Sequence, residues 1–145
     1  MDECSPSSGP HGAREESCLR LEFPGDTAAL GDVRTALRGF LSEWLNEESI
    51  EQIVLAVDEA CTNVIRHALD GETKPVQLEC HLQSQRLSIV LRDYGKPCDP
   101  ELVKGRALED IRPGGLGVHI IQRVFDHVEY APQPDGTRLT LEKRI

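Results

Sequence analysis

The sequence predicts a two-layer α/β sandwich: a mostly antiparallel mixed sheet with helices on one face. Two patterns and their order lead there. Short segments alternate apolar and polar residues with period two, and longer ones carry apolar residues at three- and four-residue steps. In chain order they read strand, helix, helix, strand, strand, long loop, helix, strand, strand. Strands grouped by short polar gaps form hairpins, and helices set between such groups cover one face of the resulting sheet.

The first strand is "CLRLEF", in which Leu19, Leu21 and Phe23 alternate with Arg20 and Glu22. Pro24-Gly25 ends it, and Asp26 or Thr27 caps a helix carrying Leu30, Val33, Leu37, Phe40, Leu41 and Trp44. Asn46 and the acids after it make a break. A second helix starts near Ser49, with Gln52 three residues on as in a capping box. Its stripe is Ile50, Ile53, Val54, Val57, Cys61, Val64, Ile65 and Ala68, and Asp70-Gly71 stops it. "VQLECHL" and "RLSIVLRD" then alternate on either side of Ser84-Gln85, a hairpin. Residues 94–114 hold three prolines and three glycines with little periodicity. An irregular stretch of about 20 residues inside a compact domain is usually a lid or binding loop. A third helix spans Leu116 to Asp126, and two strands follow, His127–Tyr130 and Thr137–Lys143, joined through Asp135-Gly136.

Composition narrows the function. The chain has 145 residues, enough to bury a core without disulfides or metals. A net charge of -9 argues against general nucleic-acid or anionic-membrane binding, and favours ligands held by specific contacts. Five cysteines, an odd set without C-x-x-C spacing, point to reduced thiols in a cytoplasm. No apolar run reaches the ~20 residues that span a bilayer. The opening "MDECSPSSGPHGAREES" is not a secretory signal; residues 1–17 read as a disordered tail and 18–145 as one domain.

Three polar clusters stand where a plain core would not want them. On the second helix Glu59, Asn63 and His67 recur at four-residue steps, a stripe about 12 Å long beside the small Ala56 and Ala60. By themselves these three also read as solvated surface. Asp93 shares the strand parity of Leu87, Ile89 and Leu91, which turns its carboxylate toward the apolar face, where it needs a partner such as a ligand amine. It also reads as a strand-end residue starting the turn into Gly95. "RPGGLG", Arg112 to Gly117, precedes a helix; glycines there let backbone N–H groups approach a phosphate, and equally make a flexible loop. Thr137 repeats the inward parity of Asp93.

Taken in order, Glu59-x-x-x-Asn63-x-x-x-His67, Asp93-x-Gly95, Gly115-Leu116-Gly117 and Gly136-Thr137 resemble the N, first glycine, second glycine and Gly-Thr boxes of the GHKL ATPase superfamily. "DEACTNVIRHA", "RDYGKPCDP" and "PGGLGVHII" look like its small anti-sigma-factor serine kinases of partner-switching systems. The resemblance covers residues 18–145 and implies a Bergerat-type ATP-binding fold. It implies that Asn63 ligates the Mg²⁺ of Mg·ATP and that Glu59 is the general base toward the acceptor hydroxyl. Asp93 accepts the adenine amino group, with Gly95 allowing close approach and Thr137 supporting the contact. Gly115, Leu116 and Gly117 bring backbone N–H groups to the phosphates under a lid made of residues 96–114, and Arg112 contacts phosphate. His67 matches the pattern without a chemical role.

The implied partners are a small STAS-type antagonist protein, phosphorylated on serine or threonine, a sequestered sigma factor or other regulator, and a second copy in a homodimer. Tyr94 departs from the pattern, which has smaller polar residues there. A nucleotide-dependent binding module without phosphoryl transfer is the alternative, and the presence of Glu59 argues against it.

Overall fold

The structure is a computed structural model and describes residues 16–69, 72–96 and 115–145. Five strands form one sheet: β1 (Glu16–Pro24), β2 (Pro75–Gln83), β3 (Arg86–Asp93), β4 (His127–Gln133) and β5 (Gly136–Arg144). Three helices pack against it: α1 (Leu30–Leu41), α2 (Glu47–Asn63) and α3 (Gly115–Val124). The strand order is β1-β2-β3-β5-β4, and the sheet, expected to be mostly antiparallel, is antiparallel in every ladder. The reason lies in one crossover. β3, α3 and β4 alone would set β4 parallel to β3, but β5 folds back between them and pairs antiparallel with both.

Inward positions follow the period-two pattern. Val76, Leu78, Cys80 and Leu82 on β2, Leu87, Ile89 and Leu91 on β3, and Leu139 and Leu141 on β5 are buried against the helices. From α1 and α2 come Leu37, Leu41, Ile53, Ala56, Val57 and Ala60, all in the same core. The β2–β3 hairpin turns through Ser84 and Gln85, both at positive φ (51° and 66°), the backbone of a tight two-residue turn.

Several boundaries differ from those read in the sequence. β1 begins at Glu16, and β4 runs three residues past Tyr130. α1 ends at Leu41, with Trp44 half-buried against the core beyond it. α2 starts before Ser49: Asn46 is its cap, in extended backbone, its side chain accepting from the Ser49 N–H at 2.8 Å. Glu47 and Glu48 then lie in the first turn, where the helix dipole favours acids. After Asn63 the helix widens into a π-turn over Val64–Ala68, closed by Leu69 N–H to the Val64 carbonyl. Asp70-Gly71, most of the 94–114 loop and the 1–15 segment lie outside the described residues.

Cys61 and Cys80 are free and sit in the core, where burial pushes both thiols up to about 12, so they behave as small protonated hydrophobes. Cys18 is in a disulfide, against the expectation of reduced thiols throughout; it lies on an edge strand and is only half-buried. No helix among the described residues is long and apolar enough to cross a membrane.

Candidate functional site

Chain direction alone gathers the singled-out residues at one end of the sandwich. β3 ends there with Asp93, and β5, antiparallel to it, begins there with Gly136 and Thr137; Asp93 and Thr137 are direct partners in the ladder. α2 packs against α3. The last residue of α3, Val124, accepts from Lys143 near the end of β5, whereas Leu69, just beyond α2, lies by Gly25 and Val76 near the end of β3, so the helices run antiparallel. The start of α3, Gly115 to Gly117, therefore faces the half of α2 that holds Glu59 and Asn63. A groove of about 340 Å³ beside Gln52, Leu55, His119, Ile120, Arg123 and Val124 touches none of these residues.

Asp93 is 2% exposed and Thr137 4%, the two buried polar residues among those described, as their strand parity predicts. The Gly95 N–H donates to Asp93 Oδ1 at 2.9 Å. Burial pushes the Asp93 carboxyl above its usual range, and three groups oppose it: the Gly95 N–H, the Arg92 guanidinium and the Thr137 N–H. A carboxylate held this way is oriented and retains free lone pairs for a donor outside the chain. Gly136 has φ +149°, and a Cβ there would collide with the Asp93 carbonyl, so this position excludes side chains.

Around this strand end the chain ties itself together. The Arg92 guanidinium donates to the Asp93 carbonyl, pairs with Asp135 at 2.6 Å and lies 4.2 Å from the centre of the Tyr94 ring. The Tyr94 hydroxyl donates to Gln77 Oε1 at 3.0 Å, and Lys74 Nζ donates to the Tyr94 carbonyl at 3.3 Å. Sequence reading named neither Arg92 nor Lys74. Their partners lie across strands, and only the sheet register reveals them.

The α2 side is different. Glu59 is half-exposed, and Asn63, the last residue of α2, is also partly buried. The Asn63 Oδ1 atom is buried and has no hydrogen-bond partner among the described residues. An orphaned buried amide oxygen costs about 1–3 kcal/mol and is the kind of hard acceptor that suits Mg²⁺. Among the described residues no cluster of three His, Cys, Asp or Glu could hold a metal ion. Asn63 therefore fits a cation whose other ligands are phosphates and water, the usual setting of Mg²⁺.

The π-turn follows Asn63 directly, so the even four-residue stripe stops there. Single π-turns inside helices occur often at functional sites. Ala56 and Ala60, the small residues beside the stripe, are buried in the core. The His67 side chain, the side chain of Leu116 and the whole of Arg112 lie outside what the structure describes.

The histidine kinase-like ATPase domain family matches residues 23–143. The serine-protein kinase RsbW of Halalkalibacterium halodurans is 31% identical over 134 residues, covering 86% of this chain and 82% of that protein. RsbW of Listeria innocua is 31% identical over 137 residues, covering 88% and 87%. Among solved structures, the RsbU and RsbW domains of a Mycobacterium tuberculosis protein share the fold with a TM-score of 0.64 at 18% identity. That match covers 88% of this chain but 32% of the mycobacterial one.

Proposed function

This chain belongs to the histidine kinase-like ATPase family, and from that membership we propose that it is an ATP- and Mg²⁺-dependent protein serine/threonine kinase of the anti-sigma-factor type. The observation that carries the reading is the pairing, at one end of the sandwich, of a buried carboxylate with spare lone pairs and a buried amide oxygen with no partner among the described residues. A nucleotide answers both needs. Its adenine amino group donates to Asp93, and its metal-bound phosphates lie toward Asn63. The RsbW relatives, named as serine-protein kinases, support the same activity.

Each residue then has a task. Asp93 accepts from the adenine amino group while Gly95 and Thr137 hold the carboxylate in place. Gly115, Leu116 and Gly117, in the first turn of α3, offer backbone N–H groups that the helix leaves unpaired, and these suit the phosphates. Arg112, by the family resemblance, contacts phosphate. Asn63 would hold Mg²⁺, which would supply positive charge to offset the charge developing on the transferred group. Glu59, one turn before Asn63, orients the acceptor hydroxyl and takes its proton. The acceptor is a serine or threonine of a STAS-type antagonist. The same chain, as a homodimer, sequesters a sigma factor or another regulator, and the cytoplasm is where those partners meet it.

Incubation with labelled ATP, Mg²⁺ and the antagonist encoded beside the gene tests this. Wild type labels the antagonist; Glu59→Gln binds ATP but transfers about 10²–10⁴-fold more slowly. Binding of ATP without labelling of any antagonist would leave a sequestering module and remove the kinase.

A further inference from the structure

The Arg92 side chain touches three residues of the strand-end assembly, Asp93, Tyr94 and Asp135. Its parity on β3 is opposite to that of Asp93, so it lies on the sheet face away from the helices. From there the guanidinium reaches the Asp93 carbonyl, the Asp135 carboxylate in the β4–β5 turn, and the Tyr94 ring. With 20% of its side chain exposed it is largely covered, whereas Asp135 is exposed. The other side of the same strand end is fastened to β2 through Tyr94–Gln77 and Lys74. Thus β3 is stapled to the β4–β5 turn by Arg92 and to β2 by Tyr94, on the face of the sheet opposite the Asp93 carboxylate.

We infer that Arg92 is a positioning residue that fixes the Asp93 carboxylate for an adenine amino group and so sets the base selectivity of the site. The inference rests on the nucleotide reading above. Its chemistry is concrete. An ionised Asp93 accepts from the 6-amino group of adenine and repels the 6-oxo group of guanine. A protonated Asp93 donates to that oxo group, and selectivity narrows. The Arg92 charge favours ionised Asp93, along with the Gly95 and Thr137 N–H groups. Asp135 sits beyond Arg92, and Lys74 reaches the assembly only through the Tyr94 carbonyl.

The test is binding of Mg·ADP and Mg·GDP by calorimetry across a pH series, with wild type, Arg92→Gln and Asp135→Asn. Wild type prefers ADP and loses the preference on acidification. Arg92→Gln is expected to bind ADP about tenfold more weakly, the weight of a charged hydrogen bond, with GDP binding unchanged. It is also expected to lose selectivity at a higher pH than wild type, which a change in mere stability would not produce.

Should Arg92→Gln fail to fold, Asp135→Asn decides. Asp135 is exposed, and Asn-Gly is itself a favoured turn pair, so that variant keeps the hairpin while dropping the ion pair. About threefold weaker ADP binding is expected there, the weight of a weak ion pair. Wild-type affinity and an unshifted pH profile in both variants overturn the role of Arg92 and leave the nucleotide reading standing. A wild type that binds neither nucleotide overturns the nucleotide reading itself, and this inference with it.

Discussion

At the ends of β3 and β5 the chain supplies its own partners, and at the end of α2 the described residues do not. Asp93 receives the N–H groups of Gly95 and Thr137 and the charge of Arg92, and Arg92 is itself held by Asp135 and Tyr94. Asn63 has a buried Oδ1 with no partner among the described residues, on the last residue before the helix loosens into a π-turn. On the nucleotide reading proposed above, the difference follows from what each end would receive. A base is recognised by shape and fixed hydrogen bonds, so its receptor is finished in advance. A metal-bound phosphate brings its own ligands, so its receptor is an acceptor left open.

Paired deletions break the comparison most directly. Asn63→Ala and Asp93→Ala are both expected to weaken Mg·ATP binding by about 10–100-fold or more, the usual consequence of removing a metal ligand or a buried charged hydrogen bond. Their stabilities should part. Asp93→Ala strands the Gly95 and Thr137 N–H groups and costs about 1–3 kcal/mol. Asn63→Ala removes an orphaned oxygen from a helix end and gains up to about 1 kcal/mol. Urea unfolding of the two variants reads both numbers. Loss of stability in Asn63→Ala would mean that its oxygen is satisfied after all.

Gly136 sharpens the finished end. Its φ of +149° and the collision a Cβ would make with the Asp93 carbonyl put Gly136→Ala at a cost of about 1–3 kcal/mol. Because the collision pushes on the residue that holds the carboxylate, ADP affinity should fall as well, whereas a substitution in the β2–β3 turn at Ser84, at the far end of β3, should lower stability alone. Denaturation midpoints and ADP titrations on both variants separate the two effects.

Local pattern carried further for the strand end than for the helix end. Leu87, Ile89 and Leu91 make the inward direction of Asp93 readable, because side chains on a strand alternate strictly. The same holds for Thr137 beside Leu139 and Leu141. The insertion of β5 between β3 and β4 is not local, and with it go the Asp93–Thr137 pairing and the reach of Arg92 to Asp135. On α2 the apolar spacing continues through Val64 and Ile65, so nothing in it marks the π-turn. Asn46 competed with Ser49 as the cap and won, since it leaves both Glu47 and Glu48 inside the first turn. The lid and Arg112 lie outside the described residues, and their roles rest on resemblance.

The gentlest test titrates the finished end. Burial holds the Asp93 carboxyl above its ordinary range despite three opposing donors, so the folded chain binds that proton more tightly than the unfolded one. The stability that this proton contributes is fully present below the unfolded-state pKa and is lost as pH rises through the folded-state value. Asp93→Asn cannot titrate yet keeps an oxygen for the Gly95 N–H. Wild type should therefore gain stability relative to Asp93→Asn on acidification through the Asp93 range, and the gap should be flat at neutral pH. Unfolding free energies of both proteins at matched pH values give the difference directly. A gap that moves the other way would mean that the Arg92 charge outweighs burial, making the strand end a net stabiliser of the ionised carboxylate.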